Sequence, residues 1–372
     1  MSAQIQIPVC RPLFTGKEAQ YVQEAIRSGF ISSNGSFLSR LEKIFPQWVG
    51  CEHGIACCNG TAAVQLALQA AGVKKGDRVV LPSFTMMASV FPVLQLQAIP
   101  VFVDCEPDSW TLDPRQLETV TGTVKAIMPV HIYGHPCDMD PILAWARERN
   151  ARVIEDAAEA HGAKYKGKMC GSIGDIAAFS FYANKVITCG EGGMVTTHSR
   201  DFADQARYFR NLCFDLDPAK RFVHEQVGFN FRMSNVLAAI AVAQMENADQ
   251  LVEARRAMAA KYLERLRDCQ EFLQLPCEKS WARNSYWMFG VLLKDSVKWT
   301  VAEVQKKLLE AGIETRRFFC PAHLQPALTE YRNQVRAPIS ERLWNRGFYL
   351  PSSSDLTDNE ADYILKTLKT TL

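Results

Sequence analysis

Apolar residues along this chain gather in short blocks, each closed by a polar or glycine-bearing turn and followed by a stretch of helical texture. Gly54-Ile55-Ala56-Cys57-Cys58 is one block. The turn Asn59-Gly60-Thr61 comes next, and AAVQLALQAAG then has the composition of a buried helix. The alternation continues. Arg78–Pro82 predicts a strand, 88–96 a helix, IPVFVDCE a strand, KAIMPVHIYG a strand, PILAWARERN a helix, and ARVIEDAAEAHG a strand running into acidic residues. Strands that are apolar throughout, rather than at every second position, are those buried on both faces. The pattern therefore predicts an α/β fold with a mostly parallel sheet covered by helices. DIAAFSFYANKVITCGEGGMVTT differs, and predicts two antiparallel strands around a glycine bend. Upstream, KEAQYVQEAIRSG (17–29) is an amphipathic helix closed by Gly29, and SSNGSFLSRLEKIFPQWVG is a polar turn leading into another.

Near residue 247 the texture changes. ENADQLVEARRAMAAKYLERLRDC is a long charged helix, SYWMFGVLLK a strand, VAEVQKKLLEAGIE a helix, and SDLTDNEADYILKTLKTTL a terminal helix. The chain thus divides into a large α/β domain over 1–247 and a smaller α+β domain over 248–372.

Composition narrows the function. At 372 residues, two lobes are the ordinary expectation. A net charge of +2 gives no field suited to nucleic acid or an anionic membrane. No apolar run reaches the roughly 18–20 residues that span a bilayer. The opening MSAQIQIPVCRPLF lacks the features of a secretory leader, so the expected location is the cytoplasm. The twelve cysteines are scattered with no C-x-x-C pair, which suits reduced thiols rather than disulfides or structural zinc.

Neither G-x-G-x-x-G nor G-x-x-x-x-G-K-[ST] occurs, which removes the main support for a dinucleotide or P-loop enzyme. Other stretches carry chemistry. In Asn59-Gly60-Thr61-Ala62-Ala63, Thr61 is placed to cap the helix, and the first helical N–H groups make an anion site, although an ordinary N-cap has the same look. Asp156, in Glu155-Asp156-Ala157-Ala158-Glu159-Ala160-His161, ends a buried strand, where open α/β sheets place ligands; it either caps the next helix or holds a proton on a ring nitrogen. His131 and His135 form H-x-x-x-H, but Gly134 and Pro136 break the helix that a metal site would need, so no metal is expected. Lys185 lies between a strand ending in Ser180 and a bend containing Gly190, Gly192 and Gly193. An amine, a ring-directed carboxylate and a phosphate cradle are together what pyridoxal phosphate requires.

These residues sit in a longer resemblance. SGFISSNGSFLSRLEKIF, NGTAAVQLAL, GDRVVLPSFTMMAS, PVFVDCEPDSWTLDP, KAIMPVHIYGHPCDMD, VIEDAAEAHGAKYKGK, GSIGDIAAFSFYANKVITCGEGGMV and GFNFRMSNVLAAIAVAQ follow in order nearly end to end. The chain resembles the pyridoxal-phosphate-dependent sugar aminotransferases of the DegT type, within the fold-type I aminotransferases. That resemblance implies a large domain with a mostly parallel seven-stranded sheet and a smaller C-terminal α+β domain. It implies that Lys185 anchors pyridoxal 5′-phosphate and carries the proton, and that Asp156 pairs with the ring nitrogen. Glu159 lies by the ring hydroxyl. Gly60, Thr61 and Ser180 bind the phosphate, with Ala62 in the same turn. Asn230, in GFNFRM, reaches the phosphate of a neighbouring subunit's cofactor, so the active site is shared in a homodimer. Met86 stands where relatives carry a ring-stacking aromatic, with Phe84 placed to compensate, and His161 supports the shell around Asp156. The implied reaction takes an amino group from L-glutamate, through pyridoxamine phosphate, to a ketosugar.

Relatives that dehydrate sugars have histidine in place of Lys185, so the lysine favours transamination; a non-catalytic cofactor-binding regulator is the other class. Asn284–Phe289 and RFFCPAHLQP (317–326) look most like segments of GDP-perosamine synthases, which aminate GDP-4-keto-6-deoxymannose at C4. A UDP- or dTDP-linked ketosugar, or a keto derivative of an eight- or nine-carbon acidic sugar, is the alternative. The implied product enters a surface glycan such as the O-antigen of lipopolysaccharide.

Overall fold

The computed structural model describes residues 6–14, 16–215 and 217–372, with Pro218 described through its backbone alone. The first five residues of the segment read for a leader lie outside the described residues. Helices α1 (Lys17–Arg27) and α2 (Ser36–Val49) open the chain. Strand β1 (His53–Cys57) leads into α3 (Gly60–Ala70), β2 (Arg78–Pro82) into α4 (Met87–Gln95), and β3 (Ile99–Val103) with β4 (Ala126–Ile127) into α5 (Met139–Glu148). Next come β5 (Arg152–Asp156), the short β6 (Lys164–Tyr165) and β7 (Lys168–Met169), β8 (Ile176–Ser180) and β9 (Gly193–Thr197). Helices α6 (Arg200–Arg210) and α7 (Asn235–Met245) complete this half, and α8 (Ala248–Arg265) leads out of it.

Seven strands form one sheet in the order β1-β9-β8-β5-β4-β2-β3. Only β9 runs against its neighbours, opposing Gly193 to Ser180 and Thr196 to Ala177. All five residues of β8 and of β9 are buried, as strands covered on both faces should be. Helix α3 packs on this sheet and on α4 and α6, which is why its sequence is apolar on nearly every face. Helix α7 is apolar all round for a similar reason: it is packed against both α1 and α2, and Ser234 caps its start by accepting from Leu237 N–H. Full burial of side chains such as Leu41 and Phe45 is worth about 1.5–3 kcal/mol each.

KAIMPVHIYG departs from expectation, because its regular strand covers only Ala126–Ile127, followed by one isolated bridge from Val130 to Asp156. Pro129 has no N–H for the ladder, and the chain turns away through Tyr133, whose φ of 52° is left-handed.

The remaining elements are β10 (Leu273–Gln274), β11 (Ala282–Arg283), β12 (Phe289–Leu293), α9 (Val301–Glu310), β13 (Arg316–Arg317), α10 (Pro338–Arg346), β14 (Gly347–Leu350) and α11 (Asp358–Thr371). Strands β10-β12-β14-β13 make a second, antiparallel sheet, whereas β11 joins β6 and β7 in a small third one. The second sheet shares a core with α8, α9 and α11 through Tyr262, Phe289, Phe348, Leu308 and Ile364. The N-terminal segment 6–14 is a strap that belongs to this end of the molecule. Ile7 bridges Ile313, Val9 N–H donates to Glu314 Oε2 at 3.1 Å, and Arg11 ion-pairs with Asp355 and Glu360.

Candidate active site

Because β1, β2, β5 and β8 run the same way, the turns that follow them meet at one edge of the sheet. They enclose a cavity of about 400 Å³ lined by residues that include Asn59, Gly60, Thr61, Met86, Ser89, Asp156, Glu159, Ser180, Asn184 and Lys185. The aromatic part of the lining is Trp287, Phe319 and Tyr349.

The helix start is built by Asn59 rather than Thr61. Asn59 Oδ1 accepts from Ala62 N–H at 2.8 Å, and the Asn59 carbonyl accepts from Ala63 N–H at 3.1 Å. Ala62 is buried and its N–H is thereby engaged. Thr61 instead lines the cavity beside Gly60, at the positive end of α3. Gly60 is required by close approach, since a Cβ there would lie 2.6 Å from Ser180 Cβ. A similar contact explains Gly193, where a Cβ would meet the Asn59 carbonyl oxygen at 2.3 Å. The cradle therefore joins the start of α3 to the end of β8, with two hydroxyls and the helix N-terminus facing one space.

Asp156 is buried and oriented. Ser89 Oγ–H donates to its Oδ2 at 2.7 Å, Ala158 N–H donates to its Oδ1 at 3.1 Å, and Thr85 in turn hydrogen-bonds Ser89 at 2.8 Å. Glu159 Oε2 accepts from Tyr133 N–H at 2.7 Å, and its Oε1 lies 3.9 Å from Lys185 Nζ. Burial holds the Glu159 carboxyl above the carboxylate range, against the pull of Lys185 and the Tyr133 N–H. Burial holds the Lys185 amine below the usual lysine value, opposed by Glu159 and Asp156. Both shifts raise the share of neutral amine over that of an exposed lysine, and the neutral amine is the form a carbon electrophile needs.

Met86 is half exposed and lines the cavity. Phe84 does not compensate for it: the ring is fully buried against Tyr133, Phe318 and Phe319. His161 does not support Asp156 either. It is buried among Phe45, Phe179 and Phe181, neither ring nitrogen has a protein hydrogen-bond partner, and burial pushes it down to about 3. The support of Asp156 comes from Ser89, which sits inconspicuously in an apolar helix start. His131 is structural in its contacts. Its Nε2 meets Glu155 Oε2 at 2.9 Å, its Nδ1 accepts from Cys137 N–H at 3.0 Å, and Glu155 also accepts from Gly171, Ile173 and Gly174. Asn230 stands apart from the cavity, exposed, in a bridge to Asn211.

The residues present fit pyridoxal phosphate: a phosphate cradle at a helix N-terminus, an oriented buried carboxylate, and a desolvated lysine line one cavity of suitable size. The family model for DegT/DnrJ/EryC1/StrS aminotransferases matches residues 13–369. The chain is similar to the GDP-perosamine synthase of Caulobacter vibrioides, at 42% identity over 99% of both chains. It is 39% identical to the GDP-perosamine synthase of Escherichia coli O157:H7 over 97% of both. Among solved structures, an aminotransferase from Psychrobacter cryohalolentis superposes with a TM-score of 0.90 at 29% identity, covering 97% of each chain.

Proposed function

The chain belongs to the DegT/DnrJ/EryC1/StrS aminotransferase family, which works with pyridoxal phosphate, and from that premise we propose that it converts GDP-4-keto-6-deoxymannose to GDP-perosamine with L-glutamate as amino donor. The observation that carries this reading is the convergence of Lys185, Asp156 and the Gly60–Thr61–Ser180 cradle in one cavity, in a chain with which GDP-perosamine synthases align over nearly its whole length.

Each residue has a task in this reading. The N–H groups at the start of α3, with Thr61 and Ser180, bind the cofactor's phosphate. Asp156, fixed by Ser89 and the Ala158 N–H, keeps a proton on the ring nitrogen. Glu159 would lie by the ring hydroxyl, and Met86 would offer its thioether to the ring face. Bound pyridoxal phosphate supplies an electron sink for the pair left when a substrate C–H bond breaks, and a carbon that carries the amino group between substrates. Lys185 Nζ anchors the cofactor, takes the proton from the donor's α-carbon and returns a proton to the sugar carbon that becomes aminated. Trp287, Phe319 and Tyr349 exclude water from that transfer.

Asn230, exposed and outside the cavity of its own chain, serves the phosphate site of a second copy, so the working unit is a homodimer. The exposed apolar side chains Phe30, Ile31, Phe222 and Val227 support such an interface. Residues 1–247 form the cofactor lobe and 248–372 the smaller lobe, with the strap 6–14 attached to the latter. The enzyme acts in the cytoplasm, in the synthesis of a surface glycan such as an O-antigen. Among the described residues, no helix is long and apolar enough to cross a membrane.

The test is spectroscopic and then chemical. Purified protein loaded with pyridoxal phosphate is expected to absorb near the visible edge, and the band to move to shorter wavelength with L-glutamate. Borohydride reduction and mass spectrometry are expected to place the cofactor on Lys185. GDP-4-keto-6-deoxymannose should then restore the first spectrum, whereas UDP- and dTDP-linked ketosugars should not. Restoration by one of those sugars alone would overturn the substrate, and no cofactor uptake would overturn the whole reading.

A further inference from the structure

Two non-glycine residues near Lys185 have left-handed backbones, Tyr133 at φ 52° and Tyr286 at φ 50°. That conformation is costly for a residue with a Cβ and persists only where surrounding contacts enforce it. Here the enforcement is mutual. Ser285 N–H donates to the Gly134 carbonyl at 3.0 Å, and a Cβ on Gly134 would lie 2.9 Å from the amide nitrogens of both Tyr286 and Trp287. The two strained segments are therefore docked backbone to backbone.

Each strained residue aims one group at the same amine. Tyr133 N–H fixes Glu159, whose Oε1 is 3.9 Å from Lys185 Nζ. Tyr286 immediately precedes Trp287, whose ring centroid is 3.6 Å from that Nζ. Trp287 is itself tied down at two points. Its indole N–H donates at 2.8 Å to the carbonyl of Asn184, the residue before Lys185, and its own carbonyl accepts from the buried Arg255 guanidinium at 2.7 Å. Only 3% of Trp287 is exposed.

We propose that Trp287 is a positioning residue for Lys185: its ring face holds the free amine, and its indole N–H fixes the turn that carries it. That Lys185 anchors the cofactor rests on the function proposed above, but the hold exerted by Trp287 is a property of the protein alone. An ammonium is attracted to the face of an indole, so the ring favours the charged form while burial opposes it. The other titratable groups around Lys185 are Asp156 at the end of β5, Glu159 just after it, Cys10 in the strap, Tyr349 on β14 and His161, with Tyr182 and Glu191 lining the same cavity. Leucine at 287 keeps the position apolar and removes the π face.

The experiment measures how fast Lys185 is acetylated by acetic anhydride in cofactor-free protein as pH is varied, with the labelled peptide followed by mass spectrometry. In W287L the pH midpoint is expected to fall by about half a unit to one unit. Lys307, 3.5 Å from the Trp299 ring centroid at the surface, serves as the reference that should not move. W287F keeps a ring but loses the N–H, so amide hydrogen exchange over 182–185 should quicken while the midpoint falls less. If W287L does not fold, fluorinated tryptophan at all seven tryptophans weakens the π face with little change of shape, and the midpoint should again fall; Trp299 is then fluorinated too, so Lys261, paired with Asp358 at the surface, replaces Lys307 as the reference. A midpoint that stays or rises in either folded protein overturns the proposal, since a purely packing role would lower the melting temperature without moving it. Failure of wild-type protein to take up pyridoxal phosphate would count against the proposed function and leave this result intact.

Discussion

The two walls of the cavity are made in different ways. The polar wall comes from turns after parallel strands: Asn59–Thr61, Asp156–Glu159 and Ser180–Lys185 each lie within a few residues of a strand end. Their side chains are oriented by hydrogen bonds, as Ser89 orients Asp156. The aromatic wall comes from distant positions, Trp287, Phe319 and Tyr349, set by packing around the Tyr133 ring, which lies 4.9 Å from that of Phe318 and 5.5 Å from that of Phe319. One wall presents charge and donors, and the other removes water so that those groups act at full strength. Reactivity therefore belongs to the polar wall, and its medium to the aromatic wall.

Three substitutions sharpen that contrast. Lys185→Ala removes the reacting group, and turnover is expected to fall by about 10⁴-fold or more while circular dichroism stays unchanged. Appreciable residual turnover in a stopped-time assay would assign the proton transfer elsewhere. Gly60→Ala leaves every reacting group in place but puts a methyl 2.6 Å from Ser180 Cβ, so the cradle must open. Loss of one charge-assisted hydrogen bond predicts a cofactor Kd raised about 10- to 100-fold, read by fluorescence titration. His161→Leu changes no residue that lines the cavity. Its folded-state value near 3 lies below the usual 6.5, so the unfolded chain takes up the proton first as pH falls, and stability is lost progressively below about pH 6.5. At pH 4.5 the wild type should have lost about 2–3 kcal/mol through this group. The leucine variant should lose less between pH 7 and 4.5 in urea titrations, and equal losses would show that the ring finds a partner on protonation.

The sequence disclosed the two walls unequally, for physical reasons. Strands buried on both faces and closed by Asn-Gly or acidic turns are visible as patterns, so the parallel sheet and the positions of Lys185, Asp156 and Gly60 could be read. Ser89 could not, because a serine in an apolar helix start has no distinguishing neighbours. Trp287 and Tyr349 look like ordinary strand residues. Helix α7 has no polar face, because helices cover it on two sides, and so it lacks helical periodicity. The left-handed backbones of Tyr133 and Tyr286 leave no trace, since tertiary contacts impose them against local preference. His161 misled because a histidine two residues beyond Glu159 suggests a polar network, whereas the chain turns it into a phenylalanine cage.

The strap of residues 6–14 has a consequence for how the protein is made. Its anchors lie mostly beyond residue 310, at Gly312, Glu314, Ser352, Asp355 and Glu360. Residues 6–14 are thus made about 300 residues before the partners they dock on, although the seven-stranded sheet has all its strands by residue 197. Synthesis proceeds at about 5–20 residues per second, so the strap stays undocked for on the order of ten seconds or more after the sheet can form. During that interval Cys10, whose thiol ends 3.5 Å from the Asn184 carbonyl beside Lys185, is not yet in place. Docking of the strap therefore follows formation of the segment beyond residue 310, and it is this docking that brings Cys10 to the lysine pocket.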